Sequence, residues 1–135
     1  MQTEVKWDAK KISQVALEAQ NAGRLAGQAR LDELKKAGPQ WVVKNGSEVV
    51  GTMLDVCGGA YIVAKGTDPF IRAVKKYGDP WGVVSVSKGY PTGYMVHIKD
   101  TLGRQEMSVN EAVEEAIAVV LRKYGVDASV RSYID

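Results

Sequence analysis

One feature near the start of the chain limits everything after it: residues 8–37 read as a single long helix with an unusually small-residue face. Asp8 is placed to cap its first turn, and Ala37-Gly38-Pro39 supplies a glycine stop followed by a proline that cannot continue the helix. Thirty residues make a rod of about 45 Å. The apolar stripe begins ordinarily with Ile12, Val15 and Ala16, then narrows to Ala19, Ala22, Gly23, Ala26 and Gly27. Each interior glycine costs about 1 kcal/mol of helix propensity against alanine, so such a face suits a place where another backbone comes close. Two partners fit: the protein's own sheet, or the same helix of a second copy. Because the helix outruns the sheet that could cover it, a homo-oligomer meeting along Ala19, Gly23 and Gly27 is expected.

After Pro39 the pattern changes to short strands. Trp41–Lys44 and the segment from Ser47 flank Asn45-Gly46, a favoured hairpin pair. Val49–Val56 and Ala60–Lys65 read as strands on either side of Cys57-Gly58-Gly59. A short helix follows, with Asp68 as cap, Pro69 in its first turn and Gly78 as its stop. Gly82–Lys88 and Tyr94–Asp100 form another hairpin across residues 89–93, and residues 101–107 read as a loop. Ser108 and Glu111 have capping-box spacing ahead of a helix that runs through Tyr124 to Gly125, and Ala128–Tyr133 closes the chain as a strand.

A weak internal repeat accompanies these elements. Val49-Val50 with Val83-Val84, Gly59 with Gly93, Ile62 with Val96 and Lys65 with Lys99 match at an offset of 34, and Lys76-Tyr77-Gly78 with Lys123-Tyr124-Gly125 after a 13-residue insertion. The matches suggest two ββα units sharing one antiparallel sheet. The expected fold is therefore α+β: one domain over 1–135, with helix 8–37 as an oligomerisation element and 41–135 as an α+β body carrying two further helices.

The chemistry the chain excludes is broad. No apolar run approaches the ~20 residues of a membrane span. The opening MQTEVKWDAKK lacks a signal-peptide core, so a cytoplasmic protein is expected. A lone cysteine and a lone histidine make neither a disulfide nor a zinc cage, and no cofactor is expected. Phosphate-loop, dinucleotide-loop, HExxH and CxxC patterns are all missing. A Cys57–His97 nucleophile–base pair is conceivable, but Cys57 reads as a small buried hydrophobe and His97 as a solvated strand residue. Glu111, Glu114 and Glu115 read as a wetted helix face. The protein is expected not to be an enzyme.

Binding chemistry remains. The net charge is only +2, and the basic residues come in pairs beside acids or helix ends, which suits a small anion better than a duplex with its many phosphates. Arginine grips phosphate with two parallel hydrogen bonds and also stacks on flat rings. The candidate ligand-binding residues are Arg24, Phe70, Arg72, Tyr94, Arg104, Arg122 and Arg131, with Trp81 and Tyr90 as further rings near the second hairpin. Arg131 and Tyr133 share one face if the tail is extended. Each of these residues also has an ordinary explanation in core packing or surface charge.

Asp55-Val56-Cys57-Gly58-Gly59-Ala60-Tyr61-Ile62, then Phe70, Gly93-Tyr94-Met95-Val96, Glu111-Ala112, Val120-Leu121-Arg122 and Gly125-Val126, resembles a family of small phage-encoded proteins. In that family a Cys-Gly-x-Ala-aromatic strand and a Gly-Tyr strand precede a final helix ending Val-Leu-Arg-x-x-Gly. The sequence departs from it at Gly59, where an aromatic is expected. The layout is also similar to that of the Thoeris anti-defence protein 1 sponges, none of whose ligand contacts can be aligned here. The resemblance implies a phage anti-defence protein, acting in the infected cell, that sequesters a nucleotide-derived immune signal of the cyclic nucleotide or cyclic ADP-ribose type without cleaving it. The alternative is a phage inhibitor of host machinery acting by protein–protein or nucleic-acid binding.

Overall fold

A computed structural model describes residues 5–89, 92–99 and 102–135. Tyr90, Pro91, Asp100 and Thr101, read above as a ring, a turn, a strand end and a loop, lie outside the described residues. Helix α1 spans Ala9–Ala37, with the Asp8 carboxylate accepting from Lys11 N at 2.8 Å. Gly38 closes it in the left-handed region (φ 83°) and donates its N–H to the Leu34 carbonyl.

Strands β1 (Trp41–Asn45) and β2 (Glu48–Met53) form a separate two-stranded hairpin. Its loop is Gly46-Ser47, one residue later than the Asn45-Gly46 pair suggests. A bulge at Val43/Lys44 shifts the register so that Asn45 pairs with Glu48.

The remainder is β3 (Gly58–Ala64), α2 (Pro69–Tyr77), β4 (Val84–Lys88), β5 (Tyr94–Ile98), α3 (Met107–Lys123) and β6 (Ser129–Ile134). The four strands lie in the order β4-β5-β3-β6 with every neighbour antiparallel. It follows that β3 is parallel to β4 and β5 to β6, each pair separated by one strand. This βαββαβ connectivity is the split βαβ, ferredoxin-like arrangement.

The sheet order reassigns the internal repeat. Val49-Val50 falls on β2, outside the large sheet, so the repeating unit is βαβ rather than ββα, and there are two sheets rather than one. The other matches fit this unit: Gly59 and Ile62 lie in β3 and Lys65 follows it, while Gly93 precedes β5, Val96 lies in it and Lys99 follows it. Ile62 and Val96 are direct cross-strand partners. The 13 added residues lengthen the β5–α3 connection and helix α3 itself.

All three helices lie against one face of the sheet. Ile62, Ala64, Val84 and Val96 point from the strands into a core shared with Ile12, Val15 and Ala19 of α1, Phe70 and Ile71 of α2, and Ile117 and Leu121 of α3. Leu31 and Leu34 carry α1 on to a second cluster around Val109.

The small-residue face of α1 is occupied within the chain, which corrects the expectation of a helix–helix dimer along it. Ala19 is fully buried. A Cβ built on Gly23 would stand 3.0 Å from Ile117 Cγ1, and one on Gly27 2.7 Å from Leu102 Cδ1. The glycines exist to let α3 and the loop before it come close. Among the described residues, no helix is long and apolar enough to cross a membrane.

Candidate functional site

With the helices on one side, the pleat leaves the opposite side of the sheet open. Alternation places Tyr61 and Val63 of β3, Met95 and His97 of β5, and Ser129, Arg131 and Tyr133 of β6 on that open side. The tail is thus extended, and Arg131 and Tyr133 do share a face.

Part of this face is hollowed into a cleft of about 670 Å³, a volume in the usual range for small-molecule sites. Val63, Met95 and Tyr61 form its floor, and Ser129 and Arg131 one wall. Three connections form the rim: Lys65-Gly66-Thr67 before α2, the turn through Gly89, Thr92 and Gly93, and Asp127 before β6. Local chemistry explains why these connections gather there. Asp68 caps α2 through Phe70 N at 2.9 Å, and its other oxygen accepts from Asp127 N, tying the two connections together. Gly93, at φ 81°, turns the chain so that its carbonyl accepts from Gly89 N.

Tyr61 and Arg131 are directly opposed across β3 and β6. Tyr133 adds a second ring, its centroid 6.2 Å from that of Tyr61. Among the described residues, the Arg131 guanidinium has no ion pair or hydrogen bond. Beside this cleft, Ser87 Oγ and His97 Nε2 share a hydrogen bond of 2.6 Å, so the histidine is engaged by serine. Cys57 instead precedes β3 in a bridge to Glu106, and no hydrogen bond joins it to His97.

Of the seven residues expected to bind ligand, the structure brings only Arg131 to the cleft. Phe70 is 1% exposed in the core, edge-on to Trp7 at 4.9 Å, so it has no face to offer a ligand. Tyr94 lies on the helix side of β5. Its hydroxyl accepts from Lys75 Nζ at 2.9 Å, and that contact draws the phenol below its ordinary pKa. Arg104 is held by Glu106, the hydrogen bonds between them pulling the carboxyl down and the guanidinium up. Arg122 binds the Ala128 carbonyl and Glu115, while Arg72 and Arg24 stand on the outer faces of α2 and α1. Trp81 is 76% exposed, away from the cleft.

The residues that sequence reasoning left out are Tyr61, Val63, Lys65, Met95 and Asp127. Period-two alternation through Tyr61 and Val63 was a usable signal for two of them. The glutamates of α3 also separate on inspection: Glu111 accepts from Ser132 Oγ, Glu115 pairs with Arg122, and Glu114 is half-buried with no partner among the described residues. Burial pushes the Glu114 carboxyl up to about 7, so it is no wetted residue.

No protein-family model, curated protein or solved structure matches this chain. No group of three or more metal-ligating side chains forms among the described residues.

Proposed function

We propose that the protein binds and retains a compact nucleotide-like anion in the open-face cleft without breaking a bond in it. The observation that carries this reading is the Arg131 guanidinium, without an ion pair or hydrogen bond among the described residues and opposite Tyr61 across β3 and β6 at the cleft. An arginine with no carboxylate of its own can grip phosphate through two N–H groups, and a neighbouring phenol ring can take the flat face of a base. In the setting that the sequence resemblance suggests, retention of this kind would sequester a nucleotide-derived immune signal in the infected cell.

Equilibration with cyclic GMP, cyclic AMP and cyclic ADP-ribose, followed by native mass spectrometry, tests the reading. The expected result is a retained adduct that Arg131→Met weakens at least tenfold and that heating releases at unchanged mass. A product of altered mass, or no adduct with any of the three, overturns it.

A second reading, inhibition through protein contact, is favoured by the hairpin. Trp41, Val42, Val43, Val49 and Val50 are all exposed on an isolated two-stranded unit, an arrangement of marginal stability in water. Replacing the hairpin by a short Gly-Ser link should abolish activity on this reading and leave nucleotide retention intact.

A further inference from the structure

The cleft has two chemically different ends. Arg131 stands by the rings, while Lys65 and Asp127 stand at the rim, Asp127 four residues earlier in the chain. At strand spacing this is a separation on the order of 10 Å, comparable with the reach of a nucleoside monophosphate from base edge to phosphate. Between the ends the floor is apolar, made by Val63 and Met95.

The rim end mixes charges without pairing them. Lys65 and Asp127 form no ion pair with each other, and neither side chain has a hydrogen-bond partner among the described residues. A carboxylate in a site for an anion is repulsive unless it faces a part of the ligand that donates. A lysine beside it requires that the same part also accept. Guanine meets both demands on one edge: N1–H and the exocyclic amino group donate, and O6 accepts. Adenine also sets a donor beside an acceptor, N6–H next to N1, but it offers Asp127 one group where guanine offers two, and Lys65 a ring nitrogen in place of a carbonyl. Hypoxanthine keeps O6 and N1–H but lacks the second donor.

We infer that the cleft selects a guanine nucleotide, with Asp127 accepting from the N1/N2 edge, Lys65 donating to O6, and Arg131 holding the phosphate. This rests on the nucleotide-binding reading above and narrows it. Asymmetric hydrogen-bonding edges discriminate well because the wrong base leaves the site's polar groups unmatched.

Titration calorimetry of the full chain with GMP, IMP and AMP separates the two levels. GMP is expected to bind at least tenfold tighter than AMP, with IMP between them. Asp127→Asn should bring GMP to within about twofold of AMP while changing AMP affinity far less than GMP affinity, and Lys65→Met should weaken GMP and IMP more than AMP. The Asp127 side chain has no hydrogen-bond or ion-pair partner among the described residues, so the variant is expected to melt with the wild type. If all three nucleotides bind through Arg131 with equal affinity, or the preference for GMP survives Asp127→Asn, guanine selection is wrong and the nucleotide reading stands. If none binds, both fall together.

Discussion

The ring of Tyr133 lies over Gly59, its direct partner across β3 and β6, in the space a side chain at position 59 would fill. A Cβ built on Gly59 would come 2.6 Å from Tyr133 Cζ. The opposite strand thus supplies the ring that fills this part of the open face. Any side chain at 59 must push it away. Gly59→Val is therefore expected to cost about 1–3 kcal/mol by overpacking and to loosen the Tyr61–Tyr133 pair. In a urea-unfolding double-mutant cycle with Tyr133→Ala, the two losses should be clearly non-additive. Simple additivity would mean that the ring does not occupy that space.

The elements that were legible in the sequence are those with local signals. Asp8 and Gly38 bound α1, Asp68, Pro69 and Gly78 bound α2, and the tail forms a strand. The caps depend on hydrogen bonds a few residues long, and the tail on its own period-two pattern, although its pairing with β3 is long-range. The misreadings involve distant partners. Ser108 N is capped not by its own turn but by Asp55, 53 residues earlier, at 2.8 Å. The β1–β2 hairpin was legible from Asn45-Gly46, but its separation from the large sheet was not, because the repeat placed Val49-Val50 in that sheet. The candidate cleft was the least legible, because Tyr61 and Arg131 meet only when β6 returns beside β3. Phe70 shows the converse. A ring in the first turn of an amphipathic helix is core first, and its two-residue distance from Arg72 puts the pair on different sides of α2.

Gly27 on α1 tests whether that helix serves the monomer or a dimer. Leucine there gains helix propensity worth about 1 kcal/mol but must enter space already held by Val113 and Leu102. Gly27→Leu should be destabilising by about 1–3 kcal/mol in urea. Its mass by light scattering should equal that of the wild type under native conditions. A fall in mass with stability preserved would return the glycine face to an intermolecular seam.

Asp79 pins three parts of the chain. Its carboxylate accepts from Ser13 Oγ on α1 at 2.6 Å and from the backbone N–H groups of Trp81, Val83 and Val84. Burial alone would raise its pKa, but these bonds outweigh it and hold the group below the usual carboxylate range. A depressed folded pKa means stability that is present above the unfolded value and lost as pH falls through the folded one. Asp79→Ala is expected to cost about 2–3 kcal/mol at pH 7. The gap between wild type and variant should narrow as pH falls through the folded pKa, below the usual carboxylate range. A gap independent of pH would show that lost packing, not charge, is responsible.

Glu114 should act in the opposite sense. It faces inward from α3 on the side that also carries Asn110, whose amide binds the Gly58 carbonyl, and it has no cation or donor of its own among the described residues. Burial raises its folded pKa from 4.5 to about 7, whereas the unfolded chain ionises it near 4.3. Between those values the unfolded state loses its proton first, so rising pH favours unfolding. The wild type should lose on the order of 2–3 kcal/mol of stability from this residue as pH climbs from about 4.5 to 7, with no further loss beyond about pH 8. Glu114→Gln removes the ionisation while keeping the shape. It should match the wild type near pH 4 and exceed it at pH 8, a crossover that equilibrium urea unfolding at the two pH values reads directly. If the variant is no more stable at pH 8, Glu114 finds water or a partner once ionised, and the carboxylate is not held in an apolar setting.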